Sequence, residues 1–185
     1  MSARFMALVA ALFLTGQFAI FQNAFSASAP DDTIHQTAQW TPSKSDKAAV
    51  ERLSHQYFTA RDGGQYQDAY ALQTDGMKKL ASFDNWSRLA KGFSDISGKV
   101  ISRQIKKITW YKDPPGAPAL GVYAAVDFTS RFENIDVHCG YLMWHQQENG
   151  TFRMAREEAS YIDKKTQDRL DSEKLAEIKT RFRCQ

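Results

Sequence analysis

Three polar residue types that often act together at binding and catalytic sites occur in the middle of the chain, namely Arg103, Asp127 and His138. An aspartate can orient a histidine as a general base, and a guanidinium can bind a carboxylate or a phosphate through two parallel hydrogen bonds. From the alternation of side chains along predicted strands, we expect one pocket to be lined by Arg103, Tyr123, Asp127, His138 and Glu158. The alternative, which an amphipathic sheet favours, is that Asp127 lies on a solvated sheet face among cross-strand pairs.

Other kinds of catalytic or cofactor site are not indicated. His138 and Cys139 are neighbours on a predicted strand, so they point to opposite faces, and the spacing to His145 matches no usual zinc pattern. No serine stands in a Gly-x-Ser-x-Gly turn, and the sequence contains no glycine-rich phosphate loop. Glu157 and Glu158 also face opposite ways and cannot share one substrate atom. We therefore predict no metal, no cofactor and no catalytic residue, and we favour a protein that is not an enzyme.

The candidate residues must be positioned by the stretch over residues 98–134, which predicts two antiparallel strands and a proline-rich connection. In residues 121–132, apolar and polar side chains alternate with a period of two, as in a strand with one buried face. The connection is a stiff loop with Pro114, Pro115, Gly116 and Pro118. Such a loop can be a recognition surface, because a rigid segment loses little entropy on binding. The favoured alternative is that it only connects two twisted strands.

The order of elements along the chain predicts an α+β fold. Helical spacing and caps predict three helices, over residues 43–62, 66–72 and 82–92. The first helix should close at Gly63 in the left-handed conformation. Four strands are predicted over residues 99–111, 121–132, 137–147 and 151–161. Residues 43–162 should therefore form one domain, with its N-terminal helices packed on one face of a four-stranded antiparallel sheet.

Both terminal segments differ in composition from the predicted domain. Residues 1–27 have the layout of a secretory signal peptide, with Arg4, a long apolar run and then small residues, and residues 28–42 predict a flexible lead-in. The alternative is a retained membrane anchor, because the apolar run approaches the ~18–20 residues that span a bilayer. Residues 163–185 mix acidic and basic side chains and predict a charged, mostly solvated C-terminal helix.

The charge and the cysteine content limit the classes of function that are compatible with the sequence. The chain has 24 basic and 21 acidic residues and a net charge of +3, without the basic stripe that nucleic-acid binding would show. Its two cysteines, Cys139 and Cys184, are a disulfide candidate in an oxidising compartment, provided that the fold brings them together. The alternative is a buried Cys139 and a free Cys184.

Residues 64–162 resemble the secreted bacterial family called domain of unknown function 4019. Short motifs in matching order carry the resemblance: Asp62-Gly63-Gly64-Gln65-Tyr66, Pro115-Gly116-Ala117-Pro118, Asp127-Phe128-Thr129-Ser130-Arg131-Phe132, and Asn149-Gly150 with Arg153. The sequence departs from the family at His138, where an acidic residue is expected. Helices followed by an antiparallel sheet also resemble the nuclear-transport-factor-2-like, or cystatin-like, cone. The resemblance implies an exported protein with a strongly curved sheet around a long helix, and it implies no activity.

Together, these features predict an exported protein, periplasmic or secreted, that is a non-catalytic binding or interaction module. One alternative is a small-molecule-binding protein or enzyme that uses the pocket of the cone. Another is an envelope-assembly subunit, anchored to the inner membrane by an uncleaved N-terminal segment. The expected partner is an envelope protein or a small molecule, nucleic acid is excluded, and a homodimer is compatible with the sequence.

Overall fold

A computed structural model describes residues 40–184, which form helices followed by a four-stranded antiparallel sheet. The helices before the sheet are α1 (Lys44–Asp62), α2 (Tyr66–Ala71), α3 (Asp75–Leu80) and α4 (Phe83–Ser97). The strands, in their order across the sheet, are β1 (Val100–Lys112), β2 (Val122–Phe132), β3 (Ile135–Gln146) and β4 (Phe152–Asp163). The last strand is followed by α5 (Lys164–Gln167) and α6 (Ser172–Arg181). The predicted α+β fold with a curved sheet is confirmed.

Helix α1 begins with the capping box that the sequence predicts. The Ser43 hydroxyl accepts a hydrogen bond from the Asp46 N–H at 3.1 Å, and the Asp46 carboxylate accepts one from the Ser43 N–H at 3.1 Å. At the other end the left-handed residue is Gly64, with φ of +70°, and not Gly63, with φ of −81°. The position is one residue later than predicted, because the Gly63 N–H still bonds the Thr59 carbonyl at 2.9 Å in helical fashion.

The helical region differs from the prediction in two places. Helix α3 lies between two predicted helices, where the sequence predicts none. Thr74 caps it, and its Leu80 is 84 % exposed, so the helix has no apolar stripe that would indicate it. Helix α4 continues past Gly92 to Ser97, because a glycine inside a helix is tolerated. Gly98, with φ of +72°, ends it.

The predicted single C-terminal helix is in fact two short helices. Asp163 accepts a hydrogen bond from the Thr166 N–H at 2.9 Å and caps α5. Asp171 accepts one from the Lys174 N–H at 2.7 Å and caps α6. Asp171 has an extended backbone, as an N-cap residue requires, so the predicted continuous helix is interrupted there and a second helix begins.

The sheet has a helix-facing face, toward α1 and α4, and an outer face. On the helix-facing face, the Trp144 indole N–H donates to the Ser54 hydroxyl at 2.9 Å, and the Phe58 and Phe128 rings meet with centroids 4.9 Å apart. The buried core around these contacts includes Val50, Tyr57, Val126, Leu142 and Met154. Helix α1 therefore lies across the sheet and positions its side chains against β2, β3 and β4.

A β-bulge changes which side chains of β4 face the helices. Ala155 is the extra residue, because Met154 and Arg156 on either side of it pair with consecutive residues of β3. One extra residue reverses the alternation beyond it. Met154 faces the core, and further along the strand it is Glu157 that faces α1.

A close approach of β3 and β4 requires glycine. A Cβ atom at Gly140 would lie 1.9 Å from the Glu158 carbonyl oxygen. No other residue fits there without moving the β4 backbone, so Gly140 holds the two strands in this geometry.

The outer face of β3 is tied to the C-terminal segment. Cys139 is joined to Cys184 by a disulfide, with Cα atoms 5.4 Å apart. Of the two alternatives for the cysteines, the structure shows the disulfide.

No helix within residues 40–184 has the length and apolar character needed to cross a membrane. The predicted signal peptide and nearly all of the predicted lead-in lie outside the described residues.

Candidate functional site

A cavity of about 780 Å³ lies between α1, α4 and the helix-facing face of the sheet. Ligand sites in proteins commonly measure ~300–1,000 Å³. Apolar and aromatic side chains on its walls include Phe58, Leu89, Phe93, Phe128, Phe132 and Tyr161. Titratable side chains on its surface include Arg61, Asp62, Arg103, His138 and Glu157. An apolar enclosure with convergent polar groups is the usual form of a small-molecule site.

Arg103, Ser130 and His138 form a row across three neighbouring strands. Arg103 of β1 pairs with Ser130 of β2, and Ser130 pairs with His138 of β3. Directly opposed residues place their side chains on the same face, ~5 Å apart. The Arg103 Nε–H also donates to the Ser130 hydroxyl at 2.8 Å. The sequence predicts Arg103 and His138 in one pocket, and the structure brings both to this cavity.

The Arg103 guanidinium is held from several sides. It forms an ion pair with Asp62 at the end of α1, and it lies over the Phe58 ring, with its central carbon 4.3 Å from the ring centroid. The Arg103 side chain is only 13 % exposed. A guanidinium fixed in this way presents its remaining N–H groups to the cavity in one orientation.

A second charged cluster joins α1 to β4. The Tyr57 hydroxyl donates to the Glu157 carboxylate at 2.5 Å, and the Arg61 guanidinium donates to the Tyr57 oxygen at 2.8 Å and to Glu157 at 3.2 Å. Burial, and then the charge of Glu157, raise the pKa of Tyr57 well above its ordinary value, so the hydroxyl remains a donor. Burial opposes the charged form of Arg61, but Glu157 and Tyr57 outweigh it and raise the pKa of Arg61. The Tyr57 hydroxyl therefore stays protonated and the Arg61 guanidinium stays charged at neutral pH.

His138 lies in an apolar environment on the same surface. It is 8 % exposed, and its ring centroid lies 5.2 Å from that of Phe93, 5.5 Å from Phe128 and 5.3 Å from Phe132. Its Nδ1 is buried without a hydrogen-bond partner among residues 40–184. Burial lowers the pKa of His138 to about 4, and two nearby arginines add to this effect. The imidazole is therefore uncharged at neutral pH.

Two predicted pocket residues of β2 lie on the outer face. Because β2 alternates regularly, Asp127 and Tyr123 point away from the core that Val126 and Phe128 enter. Tyr123 stacks on His145 with ring centroids 4.3 Å apart. Asp127 and His138 are thus on opposite faces of the sheet, and the hypothesised Asp–His pair does not form.

The third misplaced residue is Glu158. It forms an ion pair with Arg156 on the outer face, whereas its neighbour Glu157 faces the cavity. The bulge at Ala155 is the reason, because regular alternation from the buried Met154 would have placed Glu158 inside.

Sequence reasoning misses Tyr57, Arg61, Asp62 and Glu157 as residues of the cavity. The positions of Tyr57 and Arg61 could have been predicted from the sequence. Residues four apart in a helix share a face, and this polar pair continues the apolar stripe of α1. For Glu157 there is no comparable local signal, since its orientation depends on the bulge.

The predicted interaction loop lies over the outer face. The Asp113 carboxylate accepts a hydrogen bond from the Gly121 N–H at 2.6 Å, and the Tyr123 hydroxyl donates to the Ala119 carbonyl at 2.8 Å, so both bonds hold the loop. A groove of about 380 Å³ on this face is lined by loop residues that include Pro114, Pro115, Gly116 and Pro118.

Within the part of the chain that the structure describes, no group of three His, Cys, Asp or Glu side chains is placed to hold a metal ion. His138 and His145 in particular lie on opposite faces of β3, His138 at the cavity and His145 against Tyr123.

The fold and the cavity define residues 40–184 as an α+β domain in which helices and a curved sheet border a half-open space of small-molecule size. The family described as Protein of unknown function (DUF4019) matches residues 53–156, more than half of the chain. The chain belongs to this family, as the motifs in its sequence indicate. The matched residues include the whole row of Arg103, Ser130 and His138.

One solved structure with a similar fold is a scytalone dehydratase-like protein from Novosphingobium aromaticivorans. The two chains are 13 % identical, with a TM-score of 0.40, and the match covers 64 % of this chain and 85 % of that chain. The likeness concerns the fold alone. Comparison with curated proteins gave no match.

Proposed function

We propose that this protein binds a small organic molecule in the cavity between α1, α4 and the sheet, as a non-catalytic module of the periplasm. The observation that carries the proposal is the cavity itself, which has about 780 Å³ and combines aromatic walls with convergent charged groups. Those groups come from α1, β1, β3 and β4, so their positions are set by the fold and not by a flexible loop.

The arrangement of the charged groups favours binding over proton transfer. The cation of Arg61 is paired with Glu157 and that of Arg103 with Asp62, so both carboxylates are engaged as acceptors. His138 has a pKa of about 4, which makes it a weak base at neutral pH. Its hypothesised partner Asp127 lies on the other face of the sheet, so the orienting contact of a general base is not made.

The disulfide supports an oxidising compartment such as the periplasm. Structural disulfides such as that between Cys139 and Cys184 persist mainly in exported proteins. The intact mass of the exported protein tests this part of the proposal and its alternative. A chain that begins near Ala27 supports a cleaved signal peptide, whereas a full-length chain supports the membrane-anchored envelope subunit.

The proposed binding is tested by native mass spectrometry of unreduced protein purified from the periplasm. We expect a mass above that of the processed chain, from a co-purified ligand. Ala159 lines the cavity, and the variant Ala159→Trp should fill the space and lose the additional mass. The matched control is Ala119→Trp, the same substitution in the exposed loop on the outer face, which should keep it.

Bare wild-type protein, together with no change in melting temperature for a panel of aromatic acids, phenols and amides, would contradict the proposal. An additional mass that persists in Ala159→Trp would place the ligand elsewhere and also count against the cavity.

A second candidate function is protein binding through the proline loop. The observation that favours it is Leu120, which is 83 % exposed on a loop held by hydrogen bonds at both ends. Alanine substitution of Pro115 and Pro118 should then weaken the capture of an envelope protein. An unchanged set of captured partners would remove the loop from consideration.

A further inference from the structure

We infer that the ligand of this cavity is an aromatic organic anion, such as an arylcarboxylate, and that its acidic group binds at the row of Arg103, Ser130 and His138. The inference rests on the proposed small-molecule function and adds the chemical class of the ligand and the point in the cavity where its charge is held.

The row has hydrogen-bonding capacity that the described residues do not use. Arg103 uses its Nε for Ser130 and one terminal nitrogen for Asp62, and its second terminal nitrogen has no partner among residues 40–184. The Ser130 hydroxyl accepts from Arg103, but within the same residues no acceptor takes its own proton. The Nδ1 of His138, on a side chain that is 8 % exposed, is equally unpartnered there.

The buried Nδ1 of His138 is unusual, because buried polar atoms in proteins are normally hydrogen-bonded. The Arg103 nitrogen and the Ser130 hydroxyl add two unused donors on adjacent strands, and the imidazole supplies one donor or acceptor according to its tautomer. A carboxylate has two oxygens with about four acceptor positions, so one such group can satisfy the whole row in the tautomer in which Nδ1 of His138 carries the proton.

The local charge favours an anion over a neutral group. After burial, the two effects that lower the pKa of His138 are the positive charges of Arg103 and Arg61. The two guanidiniums therefore contribute a positive potential at the imidazole, and each of them is also paired with a carboxylate, Asp62 or Glu157. An anion placed beside His138 meets this potential in a partly desolvated site, where charge–charge attraction is stronger than in water.

The walls next to the row favour an aromatic body. Phe93, Phe128 and Phe132 surround the imidazole at ring distances of 5.2–5.5 Å, and Tyr161 lies 5.6 Å from Phe93. Such spacings are typical of offset and edge-to-face aromatic contacts, so a flat ring in the cavity finds rings on several sides. Leu89, which lines the cavity and is 66 % exposed, adds apolar surface at the opening.

The test compares two probes that differ only in charge, 2-naphthoate and its neutral isostere 2-naphthamide. Calorimetry on the unreduced wild-type protein at pH 7.5 should show the acid binding at least about tenfold more tightly, as expected for a charge-assisted contact. In Ala159→Trp both probes should lose their affinity, which locates the binding in the cavity.

The charge of the row is tested with the double variant Arg103→Gln/Asp62→Asn. It removes the guanidinium without leaving a partly buried carboxylate unpaired, and the affinity ratio of acid to amide should fall close to one. The matched control is Lys91→Gln/Asp95→Asn, which removes an exposed ion pair of α4 and should leave the ratio unchanged. Ser130→Ala, a milder change, should weaken the acid severalfold and the amide little.

The outcomes separate this inference from the proposed function. Equal affinity of acid and amide, both lost in Ala159→Trp, overturns the inference and leaves the binding function intact. A neutral molecule identified as the co-purified ligand does the same. If neither probe binds and the protein purifies without a ligand, the proposed function fails and the inference fails with it. The wild-type comparison decides the matter even if the double variant does not fold.

Discussion

The two ends of the sheet are built from the same four strands but are packed differently. At the closed end, residues 122–126 of β2 and 142–144 of β3 lie under α1, and Trp144 is completely buried with its indole N–H bonded to Ser54. At the open end, residues 128–132 of β2 and 138–140 of β3 lie beside the cavity, which Phe128, Phe132 and His138 line.

Within one sheet, the closed end therefore serves mainly stability and the open end mainly binding. The closed end buries apolar surface and satisfies its indole donor, as an ordinary core does. The open end leaves Leu89 and Tyr161 exposed and charged groups partly desolvated, which lowers stability until a ligand covers them. We therefore expect substitutions at the closed end to affect folding most, and substitutions at the open end to affect binding most.

The largest effect on folding should come from Trp144→Ala at the closed end. Removal of a fully buried indole leaves a large space, and the Ser54 hydroxyl, which still donates to the Val50 carbonyl, loses the hydrogen bond that it accepts. We expect the free energy of unfolding to fall by about 3–5 kcal/mol. Urea denaturation checks this value. The matched change at the open end, Phe93→Ala, should lower the free energy of unfolding by only about 1–2 kcal/mol, because Phe93 is partly exposed. Equal losses at both ends would contradict the division.

The next effect should come from the disulfide that ties the outer face of the open end to the C-terminal segment. Cys139 and Cys184 are 45 residues apart in the chain, and reduction should lower the free energy of unfolding by about 2–4 kcal/mol. Denaturation with and without reductant measures the difference. The control is Cys139→Ala/Cys184→Ala, whose stability should not respond to the reductant. A wild-type protein that is equally insensitive would show that the link contributes nothing.

A pH-dependent effect should come from His138 at the open end. Its pKa in the folded protein is about 4, below the value of ~6.5 in an unfolded chain, so the unfolded state binds the proton first as the pH falls. Stability should therefore be lost on acidification below about pH 6.5, by about 2 kcal/mol between pH 7 and pH 5.

The comparison for this prediction is His138→Phe, an aromatic residue that does not titrate and suits the surrounding rings. Urea denaturation of both proteins at pH 7 and pH 5 isolates the contribution of His138, because the carboxylates titrate in both. Parallel pH profiles would show that the imidazole is not held uncharged by the fold.

The smallest effect should come from the proline loop, which touches neither the core around Trp144 nor the cavity. Pro115→Ala and Pro118→Ala should each lower the free energy of unfolding by less than about 1 kcal/mol, mainly because the unfolded chain gains freedom. Affinity for 2-naphthoate should stay unchanged in both variants. A loss of affinity in either variant would show that the loop affects binding at the open end and would contradict the division between the two ends.

Much of the fold is predictable from the residues alone. The alternation of Val122, Val126 and Phe128 with polar neighbours predicts both the existence of β2 and its buried face, because the two-residue period is a local property. The capping box of Ser43 and Asp46 is equally local. The site is less predictable: Arg103 and His138 are correctly expected in one pocket, but Tyr123 and Asp127 lie on the other face of the sheet.

The order of helices and strands, the face that β2 buries and the family can thus be predicted from the sequence, since each depends on residues close together in the chain. Which charged groups meet depends on how distant elements pair and pack. The bulge at Ala155 turns Glu157 inward and Glu158 outward, and the crossing of α1 brings Tyr57 to Glu157, 100 residues further along the chain. Neither event leaves a local signal, because a register shift and a helix–sheet contact are properties of paired and packed elements.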